Sequence, residues 1–276
     1  MKNHYNILVT LDSGYLRPLS VMLKSLVINN PDVIFEVYIL HQSLTKEHLD
    51  YVYDLIGETN VNLNPILIKD DMINAFPTSK RYPKEMYFRL FCANYLPDKI
   101  DRILYLDPDI VTINPIDELY YMPFDDYMFM ACTHVSKQGQ ILNGIRLRTD
   151  RFTPYFNSGV ILINLNRLRQ FNNDHLIYEY IDKNRSRLLL PDQDVFTAIY
   201  GKKTKLIDSL KYNLGDRYIT LYGLFTNKGE KITLDWIKKN TVVIHFYGRN
   251  KPWKPNYRGI LKQFFNEYSN MIEKRD

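Results

Sequence analysis

Two rhythms of apolar residues alternate along the first hundred positions. Ile7 to Leu11 reads as a strand that ends at Asp12-Ser13-Gly14-Tyr15. Leu19, Met22, Leu23, Leu26 and Val27 then recur at helical spacing until Asn29-Asn30-Pro31 stops them, with Pro18 tolerated in the first turn. Val33 to Leu40 and Val61 to Ile68 repeat the strand pattern, separated by a helix marked by Leu49, Val52, Tyr53, Leu55 and Ile56. Strand and helix in turn predict a mainly parallel sheet covered on both faces, with ligands at the carboxyl ends of its strands.

The rest of the chain continues the theme less regularly. Pro83 to Leu96 is expected to be helical, opened by its proline and closed before Pro97. Ile103 to Leu106 is a strand that runs into Asp107-Pro108-Asp109, and Ile110 to Ile113 a short strand after it. Asn114-Pro115 suits the start of a brief helix, and Tyr127 to Thr133 reads as another strand. The segment from His134 to Tyr155 is polar, basic and little periodic, which predicts a long loop acting as a lid or acceptor-side element. Val160 to Leu165 should be a central strand, with a helix through Leu176, Ile177, Tyr180 and Ile181, and another from Pro191, capped by Asp192. Val242 to Gly248 is a late buried strand, and residues 257–272 form an amphipathic terminal helix.

Composition narrows the class. With 276 residues, 45% hydrophobic and 14% aromatic, the chain can bury a large core, and no Gly/Ser/Pro-rich linker divides it, so a single domain over 1–276 is expected. A net charge of +5 suits an anionic ligand or membrane surface, but the basic residues lie scattered in pairs, which argues against nucleic acid. Cys92 and Cys132 lack metal-type spacing and sit in apolar surroundings, as expected of reduced core residues in a cytoplasmic protein. No apolar run approaches the length of a membrane span.

The candidate chemistry lies where strands end. Asp107 and Asp109 stand at the mouth of an apolar strand, where Asp-Pro favours a turn, and there they either cap a surface turn or share one divalent cation. Asp12 either meets a base or ribose at the end of the first strand or caps the helix after it. Arg89 is a surface charge or a support for the acidic pair. His245 is either a satisfied core histidine or a ligand.

Six blocks in order carry a resemblance over nearly the whole chain. They are the strand ending in Asp12, Tyr87-Phe88-Arg89-Leu90, Leu104 to Asp109, Phe156-Asn157-Ser158-Gly159-Val160, Asp192-Gln193-Asp194, and His245 to Trp253. The sequence resembles the retaining glycosyltransferases of family eight, the group that contains glycogenin and bacterial lipooligosaccharide galactosyltransferases. The resemblance implies a GT-A fold, an α/β Rossmann-like nucleotide-diphospho-sugar transferase domain with a mixed, mostly parallel sheet flanked by helices. It implies a UDP-sugar donor, UDP-glucose or UDP-galactose, and a manganese ion, with magnesium as the alternative. Asp107, Asp109 and His245 would hold the metal, and Asp12 and Tyr15 would meet the uridine. Gly248 and Lys251 would serve the diphosphate, with Arg89, Asn157, Asp192 and Gln193 around the donor sugar.

The donor types agree with that set independently. Carboxylates with one imidazole suit manganese or magnesium better than a closed structural zinc site. The expected reaction is hexosyl transfer, with retention, to a cell-envelope glycan or another saccharide or lipid-linked saccharide acceptor. Two departures from the family stand out. Cys132-Thr133-His134 replaces an acidic residue expected soon after the sixth strand, and the chain stops at Lys274-Arg275-Asp276 without a basic, aromatic membrane-binding tail. Membrane contact is therefore expected to be peripheral at most. The rival readings are a metal-dependent nucleotidyl- or phosphotransferase and a non-catalytic nucleotide-sugar binding protein.

Overall fold

The computed structural model describes residues 2–69, 73–79, 83–171, 174–225 and 232–273. The terminal Lys274-Arg275-Asp276 lies outside the described residues. A seven-stranded sheet in the order β3-β2-β1-β4-β7-β6-β8 forms the centre. Its strands are β1 (Asn3–Thr10), β2 (Val33–His41), β3 (Val61–Leu67), β4 (Arg102–Leu106), β6 (Phe129–Cys132), β7 (Val160–Asn164) and β8 (Thr204–Ile207). β1, β2, β3 and β4 run parallel, β7 runs antiparallel to both β4 and β6, and β8 is parallel to β6. β5 (Ile110–Thr112) and β9 (Val243–His245) form a separate antiparallel pair.

The first half follows the apolar rhythm closely. α1 (Leu16–Asn29) buries Leu19, Met22, Leu23 and Leu26 against β1 and β2, and α2 (Lys46–Ile56) adds Val52 and Ile56 to the same core. α2 starts at a capping box of Thr45 and His48 and stops at Gly57 in a left-handed conformation. Asp12 caps the single 3-10 turn Ser13–Tyr15 by accepting the Gly14 N–H at 2.8 Å.

Several expected elements differ. Lys84–Asn94 is a 3-10 helix, in which residues three apart stack, so the Arg89 guanidinium donates through Nε back to the Met86 carbonyl at 3.0 Å. α3 (Asp117–Tyr120) begins later than Asn114-Pro115, because the Asn114 amide instead donates to the carbonyls of Lys238 and Thr241. The expected loop at 134–155 contains α4 (Lys137–Leu147), capped by Ser136. Its Ile141, Leu142 and Ile145 are exposed, so no inward apolar stripe announces it.

Beyond β7 come α5 (Leu165–Phe171), α6 (Asp174–Asn184), α7 (Pro191–Tyr200), α8 (Ser209–Tyr212), α9 (Asp216–Phe225) and α10 (Leu234–Asn240). Asp192 does not cap α7. The Asp194 carboxylate reaches back to the N–H groups of Leu189 and Leu190 instead. The terminal helix α11 (Lys262–Glu273) starts later than residue 257, because Asp216 straps the preceding turn through the Tyr257 hydroxyl and the Leu261 N–H. Phe264, Phe265, Tyr268 and Ile272 turn inward. Cys92 and Cys132 are both buried and free. Among the described residues no helix is long and apolar enough to cross a membrane.

Candidate metal and donor site

Pairing register brings the site together. β4 ends at Leu106 opposite Val160, and the Asp107 N–H then donates to the Gly159 carbonyl at 2.8 Å, so Asn157-Ser158-Gly159 faces the first aspartate. One turn later, β5 pairs Ile110 with His245, and the Phe246 N–H donates to the Asp109 carbonyl at 3.0 Å. The histidine from the last strand therefore lands beside the acidic pair. This happens between β1 and β4, where the chain leaves the sheet in opposite directions, the usual place for a ligand crevice in such folds.

His245 Nε2 lies 3.2 Å from Asp109 Oδ1 and 3.5 Å from Asp107 Oδ2. One ligand atom from each of the three residues falls within 4.8 Å of the others. Gly159 makes this approach feasible. A Cβ there would stand 2.2 Å from His245 Cε1 and 2.6 Å from Asp107 Oδ2. Two carboxylates and an imidazole converging this closely form a donor set that fits a divalent cation such as manganese or magnesium.

Cations surround the pair. Arg89 is buried, donates to the Ser158 carbonyl at 2.8 Å, and lies 3.0 Å from Asp107 and 3.6 Å from Asp192, its guanidinium stacked over Tyr105. It is not a surface charge. Lys251 pairs with Asp109 and donates to the Phe246 carbonyl. Burial alone would push both carboxyl groups up, but Arg89 and His245 hold Asp107 below the carboxylate range, and Lys251 and His245 do the same for Asp109. Burial would lower His245, yet Asp109 and Asp107 raise it. Asp192 goes the other way, raised by burial against the opposing charge of Arg89.

Asp192 accepts the Ser158 hydroxyl at 2.9 Å, and Gln193 Oε1 accepts from Asn157 Nδ2 at 3.3 Å. The Tyr15 phenol is raised mainly by burial and lies in the field of Lys251, Asp109, Asp107 and Asp12. Gly248 takes a φ of 99° beside the Arg217 guanidinium, a backbone state open to glycine. A cleft lined by Asp216, Arg217, His245, Tyr247 and Arg258 opens beside the histidine. Where an acidic residue was expected after β6, His134 stacks on Tyr247 at 4.6 Å and bonds the Asn213 carbonyl at 2.7 Å.

The chain matches the family model described as Glycosyl transferase family 8 over residues 6–256. The chain belongs to glycosyltransferase family 8. This glycosyltransferase is 30% identical over 255 residues to a lipopolysaccharide 1,2-glucosyltransferase of Escherichia coli, covering 90% of this chain and 73% of that protein. It is 26% identical to the lipopolysaccharide 1,3-galactosyltransferase of Salmonella typhimurium, covering 95% and 76%. A solved complex of galactosyltransferase LgtC with donor and acceptor sugar analogues superposes with a TM-score of 0.80 at 22% identity, over 96% of this chain and 95% of that one. That likeness establishes the GT-A fold.

Three residues that bond the predicted side chains have no role assigned from sequence, although Ser158 lies within one of the matching blocks. Ser158 and Asn213 are small polar residues at loop positions, which periodicity does not mark. Arg146 lies on α4, within the segment whose lack of period predicts a loop, yet it holds Asp194 with two bonds of 2.7 Å, beside the Tyr155 hydroxyl that donates to Asp194 at 2.8 Å.

Proposed function

We propose that this glycosyltransferase moves glucose or galactose from a uridine diphosphate sugar to a hydroxyl of a cell-envelope saccharide or lipid-linked saccharide, with retention at the anomeric carbon. The carrying observation is the convergence of Asp107, Asp109 and His245 within 4.8 Å at the crevice. These three would hold Mn2+, or Mg2+. Bound there, the cation supplies charge stabilisation to the departing diphosphate, the task a general acid performs in a glycosidase. The relation to lipopolysaccharide glucosyl- and galactosyltransferases supports a hexose donor and an envelope acceptor. The free, buried thiols of Cys92 and Cys132 support action in the cytoplasm, and the net charge of +5 suits peripheral contact with the anionic inner face of the membrane.

Lys251 adds positive charge beside the diphosphate, and Gly248 lets the backbone come close to it. Asp12 and Tyr15 flank the uridine at the end of β1. Arg89 fixes the spacing between Asp107 and Asp192, and Asn157, Asp192 and Gln193 orient the donor sugar. A two-step route would need a carboxylate nucleophile opposite the leaving group, whereas the Gln193 amide oxygen is a weak nucleophile and already accepts from Asn157. The acceptor hydroxyl therefore attacks from the face the diphosphate leaves. The new C–O bond forms as the anomeric C–O bond breaks, and the hydroxyl proton passes to the departing phosphate oxygen. A trapped covalent glycosyl-enzyme would overturn this route.

A screen of nucleotide sugars with and without Mn2+ tests the function. Manganese-stimulated release of uridine diphosphate from UDP-glucose or UDP-galactose is expected. Release of uridine monophosphate would instead indicate attack at phosphorus, and neither transfer nor slow donor hydrolysis would leave a binding protein.

A further inference from the structure

Asn213 is wholly buried just after α8, and nothing in the reaction outlined above uses it. Its side chain stands between the histidine and the donor-sugar residues. Oδ1 lies 3.0 Å from His245 Nδ1, and Nδ2 donates to Asn157 Oδ1 at 3.0 Å. The backbone is pinned as well, its N–H on the Ser209 carbonyl at 3.2 Å and its carbonyl on His134 Nε2 at 2.7 Å.

The direction of each bond follows from one group that cannot be turned around. The Gly159 backbone N–H donates to the Asn157 side chain at 3.1 Å, so the atom it meets is the amide oxygen. That oxygen can only accept, so the Asn213 atom facing it is the NH2 group. The other end of the Asn213 amide, turned to His245, is then an oxygen, and Nδ1 must carry the proton. In the neutral ring this leaves the lone pair on Nε2, the atom set between Asp107 and Asp109. The far end of Asn157 continues the same sequence, donating to Gln193 Oε1 at 3.3 Å.

We infer that Asn213 is a positioning residue for the cation site: it fixes the His245 ring and tautomer so that Nε2 faces the metal. Through Asn157 it also ties that ring to Gln193, so the cation site and the donor-sugar pocket share one hydrogen-bonded scaffold. The inference rests on the reading that Asp107, Asp109 and His245 hold a divalent cation. Partners on the remote nitrogen of a ligating histidine typically change metal affinity by about 10- to 100-fold.

Two measurements on the full chain test it. Free Mn2+ is titrated by electron paramagnetic resonance against wild type, Asn213→Leu and Asn213→Asp, with folding checked by thermal melting without metal. Asn213→Leu should bind Mn2+ about 10- to 100-fold more weakly. Asn213→Asp, which still accepts from Nδ1–H, should recover most of that loss while its lost bond to Asn157 lowers turnover. In parallel, 15N shifts of labelled imidazoles in wild type loaded with diamagnetic Mg2+ should show His245 protonated at Nδ1, with Nε2 turned to the ion. An Nε2–H tautomer there overturns the inference even if Asn213→Leu fails to fold. Equal Mn2+ affinity in folded Asn213→Leu and wild type overturns it alone, whereas a wild type that binds no Mn2+ removes the cation reading and this role together.

Discussion

Asp107-Pro108-Asp109 and Asp192-Gln193-Asp194 are two Asp-x-Asp tripeptides with opposite fates. The first lies in the turn between β4 and β5, and both carboxylates come to His245 Nε2, at 3.5 and 3.2 Å. The second opens helix α7, where two residues correspond to a rotation of about 200°. Its carboxylates diverge. Asp192 meets Ser158 and Arg89 in the crevice, while Asp194, with no exposed surface, turns to Arg146, Tyr155 and two backbone N–H groups. Identical spacing therefore predicts shared chemistry only when the backbone that carries it is known.

The comparison can be broken at each carboxylate. Asp194→Ala leaves Arg146 without its buried partner, and the unfolding free energy in denaturant should fall by about 3 to 5 kcal/mol. Little change in the midpoint would show that Asp194 does not hold α4 to α7. Asp109→Asn should leave the fold intact and lower Mn2+-stimulated turnover by roughly two to three orders of magnitude, about 3 to 4 kcal/mol of transition-state stabilisation. Activity within about threefold of wild type would remove Asp109 from the metal set. Lys251→Ala should cost roughly tenfold in turnover, about 1.4 kcal/mol, because the cation remains.

Asp192→Asn should give the smallest and most telling change in stability. Burial raises this carboxyl in the folded state, so its contribution is fully present at low pH and lost as pH rises through the folded-state value. At neutral pH the asparagine variant should therefore melt no lower than wild type, and any gain should close on acidification. A variant less stable than wild type at neutral pH would place Asp192 with Asp194, as a structural charge.

The same contrast explains what the sequence made legible. β1 to β3 with α1 and α2 bury their own apolar faces, so Leu19, Met22, Val52 and Ile56 announce them directly. Asp107 and Asp109 are conspicuous because charge rarely ends an apolar strand. α4 is anchored through Arg146 to a residue 48 positions away, and its exposed Ile141, Leu142 and Ile145 obscure the period. β8 is a four-residue edge strand whose Leu206 is exposed. His245 stayed ambiguous because its meaning depends on pairing with Ile110, a long-range contact that no local pattern encodes.

Gly159 turns the absence of a side chain into a spacer. Gly159→Ala would add one methyl wedge against His245 and Asp107 without deleting a donor, an acceptor or a charge. Such a variant keeps the complete ligand inventory and alters only its spacing, which separates the identity of the groups from the distance between them.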